Sequence, residues 1–86
     1  MNAVELAGRI EHAVLNPQAT EEDLADGARL AARWKVRALV VKPCHVAAAA
    51  RLLAGTGVKV VTVVGFPHGG QATAVKAEET ADAVAR

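Results

Sequence analysis

Val58-Lys59-Val60-Val61-Thr62-Val63-Val64-Gly65-Phe66-Pro67-His68-Gly69-Gly70 is the stretch on which the reading of the whole chain turns. Five valines, a threonine and a lysine near the start make residues 58–64 a strand buried on both faces, as in a parallel sheet covered by helices. Period-two alternation puts Val60, Thr62, Val64 and Phe66 on one face, and Lys59, Val61 and Val63 on the other. The hydroxyl of Thr62 is then the one interior polar group of the first face. Behind the strand, three glycines let the backbone approach a ligand closely and Pro67 sets the chain direction. Ligand sites of α/β proteins gather at such strand ends. The plain alternative is a tight turn between a strand and a helix.

Working outward, a short, apolar or partly apolar strand segment occurs twice before this one. Ala38–Val41 is nearly all apolar and ends in Lys42-Pro43, and Ile10–Leu15 ends at Asn16-Pro17, where the proline disfavours helix at the preceding residue. Helical patterns fill the spaces between. Thr20 precedes Glu21, Glu22 and Asp23, so a hydroxyl cap and acids in the first turn open a helix that runs to about Lys35, with Leu24, Ala28, Ala31 and Ala32 as its apolar stripe. A second helix spans about His45 to Ala54 and stops at Gly55-Thr56-Gly57. A third spans Gln71 to Arg86, and residues 2–9 form a short N-terminal helix of about two turns. The result is one α/β unit over residues 1–86, a β-then-α motif repeated three times, with parallel strands and right-handed crossovers.

Composition excludes several function classes. The chain has 86 residues and a formal charge of +1, with its Lys and Arg scattered among Asp and Glu, so no basic face for nucleic acid or acidic membrane is expected. A single cysteine, Cys44, forms no internal disulfide, no paired Cys/His spacing suggests zinc, and no cofactor is expected. No apolar run reaches the ~18 residues of a membrane span and no signal sequence opens the chain, which points to a reducing cytoplasm.

Three segments carry a family resemblance. Glu11-His12-Ala13-Val14-Leu15-Asn16-Pro17, Val41-Lys42-Pro43-Cys44-His45-Val46 and Val63-Val64-Gly65-Phe66-Pro67-His68-Gly69-Gly70 together resemble, in order and spacing, the deoxyribose-phosphate aldolases. Residues 19–24, 52–60 and 74–77 also look like that family, so the resemblance covers nearly the whole chain. It implies a TIM barrel, of which this chain holds about three of eight (β/α) units with a short N-terminal helix, since a full barrel needs about 250 residues. It also implies reversible cleavage of 2-deoxyribose 5-phosphate to glyceraldehyde 3-phosphate and acetaldehyde through a lysine Schiff base. The family's imine-forming lysine, the second lysine that tunes it and the proton-relay aspartate lie on later strands, so no residue here inherits a catalytic role.

Supporting positions do carry over. Glu11 stands where the family usually has an aspartate, Ala13 where it has threonine, and Val40 where many members place a substrate-facing cysteine. Thr62 and Phe66 match its third strand and are expected to line the barrel mouth. Lys42, on the Val40 face at a strand end, is the candidate were this chain to form an imine itself, although the family places no nucleophile there. Cys44 reads as a small packed residue, Lys59 and Lys76 as solvated, and His12, His45 and His68 as surface or loop residues. The Gly65–Gly70 loop, opening a helix, could hold phosphate on its amides, though it is neither a Walker nor a dinucleotide fingerprint. Expected partners are a small phosphorylated sugar or aldehyde in the complete enzyme, and copies of the chain or the remainder of a barrel against the open sheet edges. The competing reading is a free-standing, non-catalytic module that self-assembles or binds a small phosphorylated ligand.

Overall fold

A computed structural model describes all residues, Met1–Arg86. Helix α1 (Ala3–Ala7) leads into strand β1 (Glu11–Val14), helix α2 (Glu21–Trp34), strand β2 (Ala38–Val41), a single 3-10 turn (Pro43–His45), helix α3 (Val46–Leu52), strand β3 (Lys59–Thr62) and helix α4 (Thr73–Ala85). The strands form one parallel sheet in the order β1-β2-β3. Glu11, Ala38 and Lys59 are aligned across it, as are Ala13, Val40 and Val61. Parallel repeating β/α units are therefore observed as expected, β1 and β3 being shorter than their sequence patterns suggest.

Local chemistry explains the strongest boundaries. Thr20 Oγ1 accepts from the Asp23 amide at 3.1 Å while the Asp23 carboxylate accepts from the Thr20 amide at 2.9 Å, a reciprocal cap that starts α2. The helix ends where Lys35 turns left-handed at φ 53°, and the Lys35 amide donates back to Ala31 O and Ala32 O. A 3-10 turn led by Pro43 precedes α3, which runs from Val46 to Leu52 within the expected span of about His45 to Ala54.

The core lies on one side of the sheet. Leu39 and Val41 of β2 are fully buried against Leu24, Ala28 and Ala31 of α2 and against Val46, Ala49 and Leu53 of α3, with Val58 beneath them. Gly27 allows that closeness: a Cβ there would lie 2.6 Å from Val14 Cγ2, so α2 can rest on β1 only with no side chain at that position. Val14 and Val60 pack at the margin of this cluster. Alternation then places Glu11, Ala13, Ala38, Val40, Lys59 and Val61 on the opposite face, which no element covers.

This corrects the sequence-based assignment for β3. Val60 and Thr62 face the helices, and it is Lys59 and Val61 that share the open face with Val40. Val64 and Phe66 lie beyond the strand. Both faces of β3 are valine-rich, so its phase is decided by the pairing of Leu39 with Val60 and Val41 with Thr62. His45 is a second correction: it is buried, 8% exposed, with Nδ1 lacking a hydrogen-bond partner. Helix α4 buries no residue and is tied to the preceding loop through Lys76 and Glu79.

Candidate functional site

Three strands pointing the same way bring their C-terminal ends together, and a groove of about 500 Å³ opens there. Leu15 follows β1, Lys42 and Pro43 follow β2, and Val63, Phe66 and Pro67 follow β3; Pro17 and Cys44 complete the lining. It is open and mostly apolar. Its one cation is Lys42, whose ammonium donates to Ala19 O at 3.1 Å and Pro17 O at 3.3 Å. With two of its three N–H donors on backbone carbonyls, this nitrogen ties the β1–α2 connection to the end of β2. A nucleophilic amine needs a lone pair aimed at a carbonyl carbon, and the arrangement serves an ammonium instead.

The structure brings together Lys42 and Phe66 from the candidate set and separates the others from them. Glu11 opens β1 at the far end of the sheet, about 13 Å from Leu15 at ~3.3 Å per residue. Its carboxylate faces the Arg37 guanidinium at 3.9 Å, and both side chains are substantially exposed. Val40 is half-buried on the open face, two residues before Lys42 of the groove. Thr62 turns its hydroxyl to the helix side, where it donates to Val41 O at 2.7 Å and braces β2 against β3. Cys44 is exposed and lines the groove, against the expectation of a packed residue. It lies in the 3-10 turn between β2 and α3.

The Gly65–Gly70 loop is organised from within. Gly65, at φ 63°, donates its amide to Glu79 Oε1 at 2.7 Å, and the Lys76 ammonium donates to Gly69 O at 3.0 Å. Glu79 thus fills the place on that amide that a phosphate oxygen would take, so the loop is not an open anion cradle. Lys76, expected to be solvated, is a strap across it. His68 is exposed, whereas His12 is half-buried on the helix side of β1. No group of three His, Cys, Asp or Glu side chains is placed to hold a metal ion.

Comparison with known proteins agrees with this architecture. No protein-family model matches the chain. The deoxyribose-phosphate aldolase of Desulfitobacterium hafniense is 40% identical over 79 residues, which is 92% of this chain and 36% of the relative. Among solved structures, the tetrameric deoxyribose phosphate aldolase from Aeropyrum pernix superposes with a TM-score of 0.91 at 33% identity, over 98% of this chain and 36% of that one. A Coccidioides immitis structure provisionally described as the same enzyme gives 0.94 at 29% identity, over 99% and 34%. The chain spans about a third of the length of these relatives. In sequence and in backbone alike, it is a homologue of a portion of the deoxyribose-phosphate aldolases.

Proposed function

We propose that residues 1–86 form one unit supplying the first three (β/α) elements of an aldolase that cleaves 2-deoxyribose 5-phosphate to glyceraldehyde 3-phosphate and acetaldehyde. The observation that carries this reading is the coincidence of the sequence match and the backbone match over nearly the whole chain. In that assembly the groove at the strand ends is one wall of the substrate cavity. Phe66, Val63 and Leu15 supply its apolar surface, and Lys42 stiffens the wall by holding the Pro17–Ala19 segment. Val40 faces the barrel interior, and Glu11 with Arg37 and Lys59 forms a charged layer at the opposite end. Thr62 contributes from behind, by fixing β3 to β2.

The imine-forming lysine belongs to another part of the barrel. The isolated chain is therefore expected to give no turnover and no borohydride-trapped adduct with 2-deoxyribose 5-phosphate. A chimera in which this chain replaces the matched portion of the Desulfitobacterium hafniense aldolase is expected to turn substrate over, with the adduct on a lysine outside residues 1–86. A stoichiometric adduct on Lys42, or a folded chimera without turnover, would overturn the proposal. No helix is long and apolar enough to cross a membrane. A reducing cytoplasm suits an enzyme of this kind and an exposed, single Cys44, and it is the proposed location. Oligomerisation is proposed in addition, on the strength of the tetrameric Aeropyrum pernix relative.

A further inference from the structure

Among the 13 residues of α4, Lys76, Glu79 and Ala83 are the ones that are partly buried. Their spacing of three and four puts them on one face of the helix, so the side turned to the rest of the chain is led by two opposite charges. These charges take backbone partners. Glu79 Oε1 accepts from the Gly65 amide at 2.7 Å, and the Lys76 ammonium donates to Gly69 O at 3.0 Å. Between the same two glycines the main chain closes on itself, the Gly69 amide donating to Gly65 O. The loop is thus held at its base by a carboxylate, an ammonium and a main-chain bond, and Phe66, Pro67 and His68 are what it presents. Contact there is close: a Cβ on Gly65 would lie 3.0 Å from Lys76 Cδ and 3.0 Å from Gln71 Oε1. No side chain caps the start of α4, in contrast to the reciprocal cap of α2. Lys76 and Glu79 are therefore the side-chain ties between this helix and the loop.

We propose that Lys76 and Glu79 are positioning residues for substrate binding: by clamping both ends of the Gly65–Gly69 loop they hold Phe66 and Pro67 in place as the β3 wall of the groove at the strand ends. Phe66 and Pro67 line that groove, and no residue of α4 does. Phe66 is 51% exposed, so its own packing does little to fix it and its position comes from the loop. An unclamped loop would have to be ordered each time a substrate entered, and that ordering is subtracted from the affinity. With the clamp in place the wall is formed before the substrate arrives. The inference rests on the aldolase reading and adds to it that a helix lining no part of the groove sets how tightly the groove binds.

The chimera with the Desulfitobacterium hafniense aldolase provides the test. Glu79→Ala and Lys76→Met are each expected to speed hydrogen exchange of the Gly65–Gly70 amides by about tenfold, since the opening they allow is local. Each is also expected to raise KM for 2-deoxyribose 5-phosphate about fivefold with kcat changed by less than about twofold, the pattern of binding lost equally from substrate and transition state. Glu79→Gln keeps an oxygen for the Gly65 amide and Lys76→Arg keeps a donor for Gly69 O, so both are expected to stay near the parental KM. Phe66→Ala is expected to raise KM without speeding exchange, and Glu79→Ala added to it is expected to raise KM no further, because Glu79 acts through Phe66. Unchanged exchange in Glu79→Ala, faster exchange with an unchanged KM, a loss confined to kcat, additive effects of Phe66→Ala and Glu79→Ala, or conservative variants as damaging as the truncations would overturn the inference and leave the aldolase reading standing. A folded parental chimera without turnover would overturn that reading, and this inference with it.

Discussion

Both faces of the sheet carry valines, and those valines live in different surroundings. Leu39 and Val41 point into a layer of two helices and are fully buried, whereas Val61, in the same sheet, remains 36% exposed. What separates them is the placement of α2 and α3 on one side only. Hydrophobicity of the strand residues alone therefore says that a face wants cover, and connection handedness says which face obtains it within the chain.

The largest test of this contrast is a pair of truncations. Leu39→Ala is expected to cost about 3 kcal/mol, from lost transfer energy and the cavity left behind. Val61→Ala is expected to cost less than ~0.5 kcal/mol in the monomer, as for a surface substitution. Urea denaturation followed by circular dichroism compares them, and equal losses would mean that the open face is covered in solution. A smaller effect sharpens the role of close approach. Gly27→Ala puts a Cβ against Val14 Cγ2 and is expected to cost about 1–3 kcal/mol through overpacking, whereas Gly70→Ala, with nothing within 4 Å, is expected to be close to neutral. A neutral Gly27→Ala would show that α2 can lift off β1 freely. Smallest is the helix cap: Thr20→Ala is expected to lower stability by about 1 kcal/mol, with Asp23→Ala in the same range. If neither changes the midpoint, the covered face does not depend on a fixed start of α2.

Much of this was legible in the residues. Thr20 with Asp23 announced the start of α2, the stripe of Leu24, Ala28 and Ala31 its buried side, and three short apolar or partly apolar segments the strands. The resemblance in three short segments anticipated the aldolase fold. The phase of β3 was not legible, because Val60 and Val61 are the same residue type and only the pairing with Leu39 and Val41 distinguishes them. The burial of His45 depends on a proline-led turn folding back beneath α3, which no local pattern marks. The roles of Glu79 and Lys76 were equally hidden, since a helix surface charge acquires a partner only when the Gly65–Gly70 loop returns to meet it. Of the candidate site, Lys42 and Phe66 do meet in the groove. Glu11 lies at the other end of the strands, a distance that counting residues from Asn16-Pro17 already contains.

The sheet order β1-β2-β3 is also the order of the chain, and this has a consequence in time. A polypeptide emerging N-terminus first at about 5–20 residues per second needs seconds to deliver the stretch between one strand and the next. A helix forms in microseconds or less. Synthesis thus offers each new strand to an edge already in place, and no strand has to be inserted between two that have met. The repeat is a sequence of additions that a ribosome can perform one unit at a time.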